Sequence, residues 1–228
     1  MQRTELNRRC RDAACAGILS SRYSARARLE EGRSLLLRRS DRSRLMAMTP
    51  FNGSGIADVA VRRCDPIEDL RGSLCEVHHD DWTLAPRPLQ WDVVRSKASV
   101  LRGVHVHRLR WDYIVVVDGH ATIGLSDVRR DSESFGRGMA VDCPPGQPVV
   151  VTIPPGVAHG IYANSPLLYM YGLTVPYNGA DTDADLGCRF DDPALGVTWP
   201  SASPVLVARD LELPDLATLV LRYNEASS

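Results

Sequence analysis

From about residue 50 onward, short runs rich in valine, isoleucine and tyrosine recur at Val100–His107, Tyr113–Val117, Ala121–Leu125, Val149–Ile153 and Leu167–Val175. Turn-forming clusters separate them, at Asp118-Gly119, Pro144-Pro145-Gly146, Pro154-Pro155-Gly156 and Asn178-Gly179. β-branched and aromatic residues suit a pleated, half-buried surface, and Gly, Pro, Asn and Asp interrupt it. The pattern therefore predicts many short strands, the signature of a sandwich or barrel. Helical spacing is convincing in one place, about residues 214–223, where Leu216, Leu219 and Val220 fall on one side. The chain has no internal repeat.

Composition adds bounds. With 228 residues, 44% hydrophobic and 24% charged, the chain suits one ordinary core, or one domain with a tail. It contains no uninterrupted apolar stretch of the roughly 18 residues that a spanning helix needs, so no membrane partner is expected. Its six cysteines (10, 15, 64, 75, 143 and 188) form no C-x-x-C pair. Neither a zinc knuckle nor a small secreted disulfide framework is expected, and a cytoplasmic location is the default.

Charge divides the sequence. Residues 1–49 carry 12 arginines against five acids, a net +7, while the remainder holds 15 basic and 23 acidic residues, a net −8. The leading segment shares the arginine- and serine-rich bias of organelle presequences. A nucleic-acid arm is disfavoured because no aromatics interleave with its arginines. The reading adopted is a basic, disordered extension over residues 1–48, with translation starting at Met46 or Met48, followed by one domain over residues 49–228. A body at −8 is no nucleic-acid surface, so an anionic ligand there must be held by a few placed arginines.

Candidate chemistry lies in three segments. In Leu101-Arg102-Gly103-Val104-His105-Val106-His107, strand alternation puts both histidines on one face and the valines on the other. Two imidazoles beside an arginine are poor core material. In Ile153-Pro154-Pro155-Gly156-Val157-Ala158-His159-Gly160, a proline-rich turn delivers His159 to the following strand. In the third segment, Tyr169-Met170-Tyr171-Gly172-Leu173-Thr174-Val175-Pro176-Tyr177, Tyr169 and Tyr171 share a face with Leu173, and Tyr169 is read as core.

On these residues the chain resembles the dTDP-4-dehydrorhamnose 3,5-epimerases. The resemblance runs from about Asp69 to Pro214. It includes Asp69-Leu70-Arg71-Gly72, Asp127-Val128-Arg129 with Ser132 and Phe135-Gly136, Asp191-Asp192-Pro193-Ala194-Leu195-Gly196-Val197 with Trp199-Pro200, and Ala208-Arg209-Asp210. It implies an all-β, cupin-type double-stranded β-helix, or jelly-roll barrel, with a short C-terminal helix. The implied activity is epimerisation of a dTDP-4-keto-6-deoxyhexose at C3, or at C3 and C5. By the same resemblance His105 is the base, Asp210 its partner and Tyr171 the acid. Arg71, Gln90, Arg102, His159 and Tyr177 bind the nucleotide sugar. Imidazole is a base poised near neutral pH, a carboxylate behind it orients the ring, and arginine's planar fork matches phosphate oxygens. The resemblance further implies a homodimer and no required cofactor.

Two positions depart from the family. A lysine that stabilises the enolate is expected seven residues before Gly119, where this chain has Asp112, and His107 stands where the family usually has glutamine. Lys97 is the only lysine in the chain. His105-x-His107-x-x-x-x-Asp112, with His159, follows a metal-binding cupin pattern, so these four residues are the expected ligands should a divalent metal replace the lysine as Lewis acid. Two further readings follow: a metal-dependent cupin isomerase or oxygenase, and a non-catalytic sugar-nucleotide binder.

Overall fold

A computed structural model of the chain describes residues 55–79, 82, 85–176 and 186–225. The basic extension, Tyr177 and the Asn178-Gly179 turn lie outside the described residues. Among the described residues, eleven strands and two helices follow in order. They are β1 (Ala60–Arg63), β2 (Ile67–Asp69), β3 (Gly72–Leu74), β4 (Gln90–Ser96), β5 (Leu101–His105), β6 (Asp112–Asp118), β7 (Ala121–Asp127), β8 (Gly138–Cys143), β9 (Val149–Ile153), β10 (Val157–Ala163), β11 (Leu167–Leu173), α1 (Ala208–Leu211) and α2 (Leu216–Glu225). A 3₁₀ turn at Pro193–Leu195 precedes α1.

Two antiparallel sheets make the jelly roll, one ordered β1-β9-β6-β11-β4 and the other β5-β10-β7-β8, with β2-β3 as a separate hairpin. Alternation decides what each face does. On β6, Ile114 and Val116 join the inter-sheet core with Ile123, Leu125, Val151, Ile153, Val157 and Ile161. Tyr113 and Val115, from the same strand, turn outward to pack with Val150, Trp91 and Met170. On the other sheet Val104 and Val106 turn outward against Leu216 and Leu219 of α2. Both faces of the central strands are thus covered, which is why β6, β7, β9 and β10 are apolar nearly throughout.

The same alternation opens the site. Asp112 shares its face with Ile114 and Val116, His159 with Val157 and Ile161, and Tyr171 with Tyr169. At one end of the barrel these polar side chains replace the aliphatic layer. Gly103, at φ +126°, lets β5 and β10 meet there. A Cβ at residue 103 would lie 2.6 Å from Gly160 Cα and 2.7 Å from the His159 carbonyl oxygen. That close approach sets His105 opposite His159 in the ladder.

Candidate active site

The polar end of the barrel is a cavity of about 620 Å³, lined by His105, His107, His159, Arg110, Tyr171 and Asp210 among others. His105 and Asp210 meet across 105 residues of sequence, with Nε2 2.8 Å from Oδ1. The imidazole is partly open to solvent, at 22% exposure, whereas the carboxylate is nearly sealed at 3%. Burial opposes ionisation of Asp210, but the bond and charge of His105, the Arg209 charge and the Gly103 backbone together outweigh it. The result is a carboxyl held below its ordinary range. The same Nε2 of His105 also lies 3.1 Å from Arg209 Nη2, so the ring edge is flanked by a carboxylate and a guanidinium.

Tyr171 comes from β11, in the facing sheet. Burial, reinforced by the negative charge of Asp112, raises its hydroxyl well above the usual tyrosine range, so it remains a phenol at neutral pH. His105 therefore sits on one sheet and the Tyr171 phenol on the other, and both line the cavity.

Beneath them lies a compact cluster. Asp112 Oδ2 is 3.3 Å from His107 Nε2 and 3.2 Å from His159 Nε2, while Oδ1 accepts from Arg110 Nε at 3.2 Å. Burial disfavours the Asp112 carboxylate, yet the bond from His159 and the charges around it hold the carboxyl below its ordinary range. His159 turns Nδ1 to the Val157 carbonyl at 3.0 Å. Arg110 Nη2 donates to His107 Nε2 at 2.9 Å. Burial lowers His107 to about 3, against the pull of Asp112, so the ring is neutral and accepts that bond.

Of the four expected metal ligands, three converge: His107, Asp112 and His159 offer donor atoms within 4.8 Å of one another. His105 is directed to Asp210 instead. The three do not suit a divalent ion as they stand. The Arg110 guanidinium takes the His107 lone pair and one Asp112 oxygen, placing a positive charge where a cation would go. The His107 Nδ1 is buried without a hydrogen-bond partner among the described residues, whereas a ligating histidine is normally anchored through its second nitrogen.

Arg102 lines the cavity, its Nε on Ser96 Oγ at 3.0 Å. Arg71 and Gln90 stand elsewhere. Arg71 is paired with Asp69 on the exposed β2-β3 hairpin, and the Gln90 amide donates to Asp92 at 3.0 Å. Sequence reasoning missed Arg95, Lys97, Arg110 and Arg209, all of which line the cavity. The Asp127 motif is structural. Its buried carboxylate accepts from Ser132 and Ser134 hydroxyls, both at 2.6 Å, and from Arg129 at 2.8 Å, closing the β7–β8 loop.

A jelly-roll barrel with a His–Asp dyad facing a buried tyrosine defines a cupin-type acid–base isomerase. The family model for dTDP-4-dehydrorhamnose 3,5-epimerase matches residues 54–218, and the chain belongs to that family. Among curated relatives, the spore coat polysaccharide biosynthesis protein SpsL of Bacillus subtilis is 30% identical over 146 residues, 63% of this chain and 96% of its own length. The dTDP-4-dehydrorhamnose 3,5-epimerase of Sinorhizobium fredii is 27% identical over 184 residues, 76% and 93% of the two chains. Among solved structures, the dTDP-4-dehydrorhamnose 3,5-epimerase of Bacillus anthracis, with TDP and PPi bound, aligns with a TM-score of 0.67 at 26% identity. That alignment covers 75% of this chain and all of the other.

Proposed function

We propose that the protein epimerises a dTDP-4-keto-6-deoxyhexose at C3, extending to C5 if two protons exchange, with residues 49–228 carrying the activity. The observation that carries this reading is the placement of the His105–Asp210 dyad and Tyr171 on opposite sheets of one cavity. A sugar ring held between them meets a base on one face and an acid on the other, which inversion at a single carbon requires. His105 removes the proton next to the C4 ketone, Asp210 orients and stabilises the resulting imidazolium, and Tyr171 returns a proton from the opposite side. The transfers need no electron acceptor and no cofactor.

The exposed cationic rim, Arg95, Lys97, Arg102 and Arg209, supports binding of the nucleotide diphosphate. Tyr177 keeps its proposed contact with the nucleotide sugar, and Arg71 and Gln90 keep theirs only if another surface brings them to a pocket. A homodimer is part of the same reading: Leu70, Leu74, Leu89 and Val93 expose apolar side chains on the hairpin and beside or on edge strand β4. A cytoplasmic location goes with it, and no helix among the described residues is long and apolar enough to cross a membrane.

The test is incubation of the 228-residue chain with dTDP-4-keto-6-deoxyglucose in heavy water, read by mass spectrometry. Gain of one deuterium indicates epimerisation at C3 and of two at C3 and C5, unchanged by chelator and lost in His105→Ala of normal circular dichroism. Exchange that disappears with chelator would favour the metal-dependent reading. Ligand binding without exchange would leave only the binder.

A further inference from the structure

We propose that Arg110 is a catalytic residue, the cation that stabilises the enolate oxygen formed at the sugar ketone, and that Asp112 positions it. The inference rests on the epimerase reading. When the C–H bond beside the ketone breaks, its proton goes to His105 and its electron pair forms a C=C bond, leaving negative charge on the former carbonyl oxygen. That charge persists until Tyr171 protonates the carbon from the other face and the C=O bond re-forms. A preorganised positive group in a water-poor cavity is an effective way to stabilise it.

Five cationic side chains line the cavity: Arg95, Lys97, Arg102, Arg110 and Arg209. Arg95, Lys97, Arg102 and Arg209 are exposed at the rim, where solvent screens their charge. Arg110 is the exception, with only 11% of its side chain accessible. It also interacts with Tyr171 itself. Its position is fixed rather than fluctuating: Nε is on Asp112 Oδ1 at 3.2 Å and Nη2 on His107 Nε2 at 2.9 Å.

Asp112 has a matching explanation. A carboxylate in place of a lysine would repel an enolate if its charge faced the cavity. Its two oxygens instead face Arg110, His107 and His159. The positive group comes from the segment just before β6, and the carboxylate at the first residue of that strand is its anchor.

The experiment compares the full-length protein with Arg110→Met, Arg110→Lys and the double variant Arg110→Met/Asp112→Asn, measuring kcat, KM and deuterium entry at C3, with circular dichroism as the folding control. Arg110→Met should lose about 10²- to 10³-fold in kcat with KM changed by no more than a few fold, and Arg110→Lys should recover part of the loss. The double variant leaves no unpaired buried carboxylate, so it keeps the test valid should Arg110→Met fail to fold. A persistent loss there supports the assignment. Recovery to near wild-type kcat in the double variant would mean that Arg110 only neutralises Asp112, and overturns it. So does an effect confined to KM, or a fully active Arg110→Met. Absence of exchange by the wild-type protein overturns the epimerase reading itself, and this assignment with it.

Discussion

At the scale of single residues, two histidines that pair across neighbouring strands are given different work by their partners. His105 has a sealed carboxylate behind it and an open ring in front. His159 is held between a backbone carbonyl and Asp112, with little exposed surface. Asp210→Asn should therefore lower kcat by about 10²-fold, within the range of general-base contributions, with KM little altered. Steady-state kinetics checks the split. Tyr171→Phe should block product formation while deuterium still enters through the His105 side, which mass spectrometry resolves. Because His107 titrates at about 3, it adds no limb to the pH–rate profile above pH 5. His105, Asp210 and Tyr171 were singled out in sequence by resemblance to family motifs, and the structure brings all three to one cavity. Arg110 was not singled out. Its role depends on the cavity's depth and on which guanidinium is sheltered from water, and neither has a local signature.

At the scale of elements, the β7–β8 loop owes its shape to one carboxylate. Asp127 is wholly buried and receives the Arg129 guanidinium and the two serine hydroxyls. Burial opposes its charge, but those bonds prevail and hold its carboxyl below the ordinary range. Asp127→Asn should cost about 3 kcal/mol, as removal of one partner of a buried pair does, or a fall in melting temperature of about 6–12 °C at this chain length. The sign of the pH effect follows from the depressed value. Below about pH 4 the unfolded carboxyl binds protons that the folded one refuses, so wild-type stability rises with pH through that window and is lost on acidification. Melting temperatures between pH 2 and 7 should show a flatter acid limb in the variant.

Strands buried on both faces announced themselves, and Val149–Ile153 matched β9 residue for residue. β4 did not, because an edge strand carrying Asp92 and Arg95 lacks an apolar run. The hairpin β2-β3 is exposed and three residues a side, and α1 is a single turn, too short for periodicity to register.

For the whole molecule, the opposition between a basic leading segment and an acidic body was plain in the sequence, and so was the all-β class. What the chain could not reveal alone was which strands face each other. His105 and Tyr171 are set on different sheets, and their separation depends on the aliphatic layer between them. The exposed apolar residues on the hairpin and near the barrel edge lead to a test of assembly. Sedimentation should give twice the 25.1 kDa chain mass, and a species at the single-chain mass would refute the homodimer.

The span of 105 residues between His105 and Asp210 also sets an order of events during synthesis. Every barrel strand, from β1 to β11, leaves the ribosome before the carboxylate that completes the dyad. Val205, Leu206, Val207 and Arg209, which line the cavity, arrive with that carboxylate, so in a domain that folds as it is made the cavity wall and the His105 partner are completed together. By the proposed mechanism, catalytic competence arrives late, with the turn of helix that carries Asp210. A nascent chain stalled short of that turn lacks both one wall of the cavity and the carboxylate that meets His105.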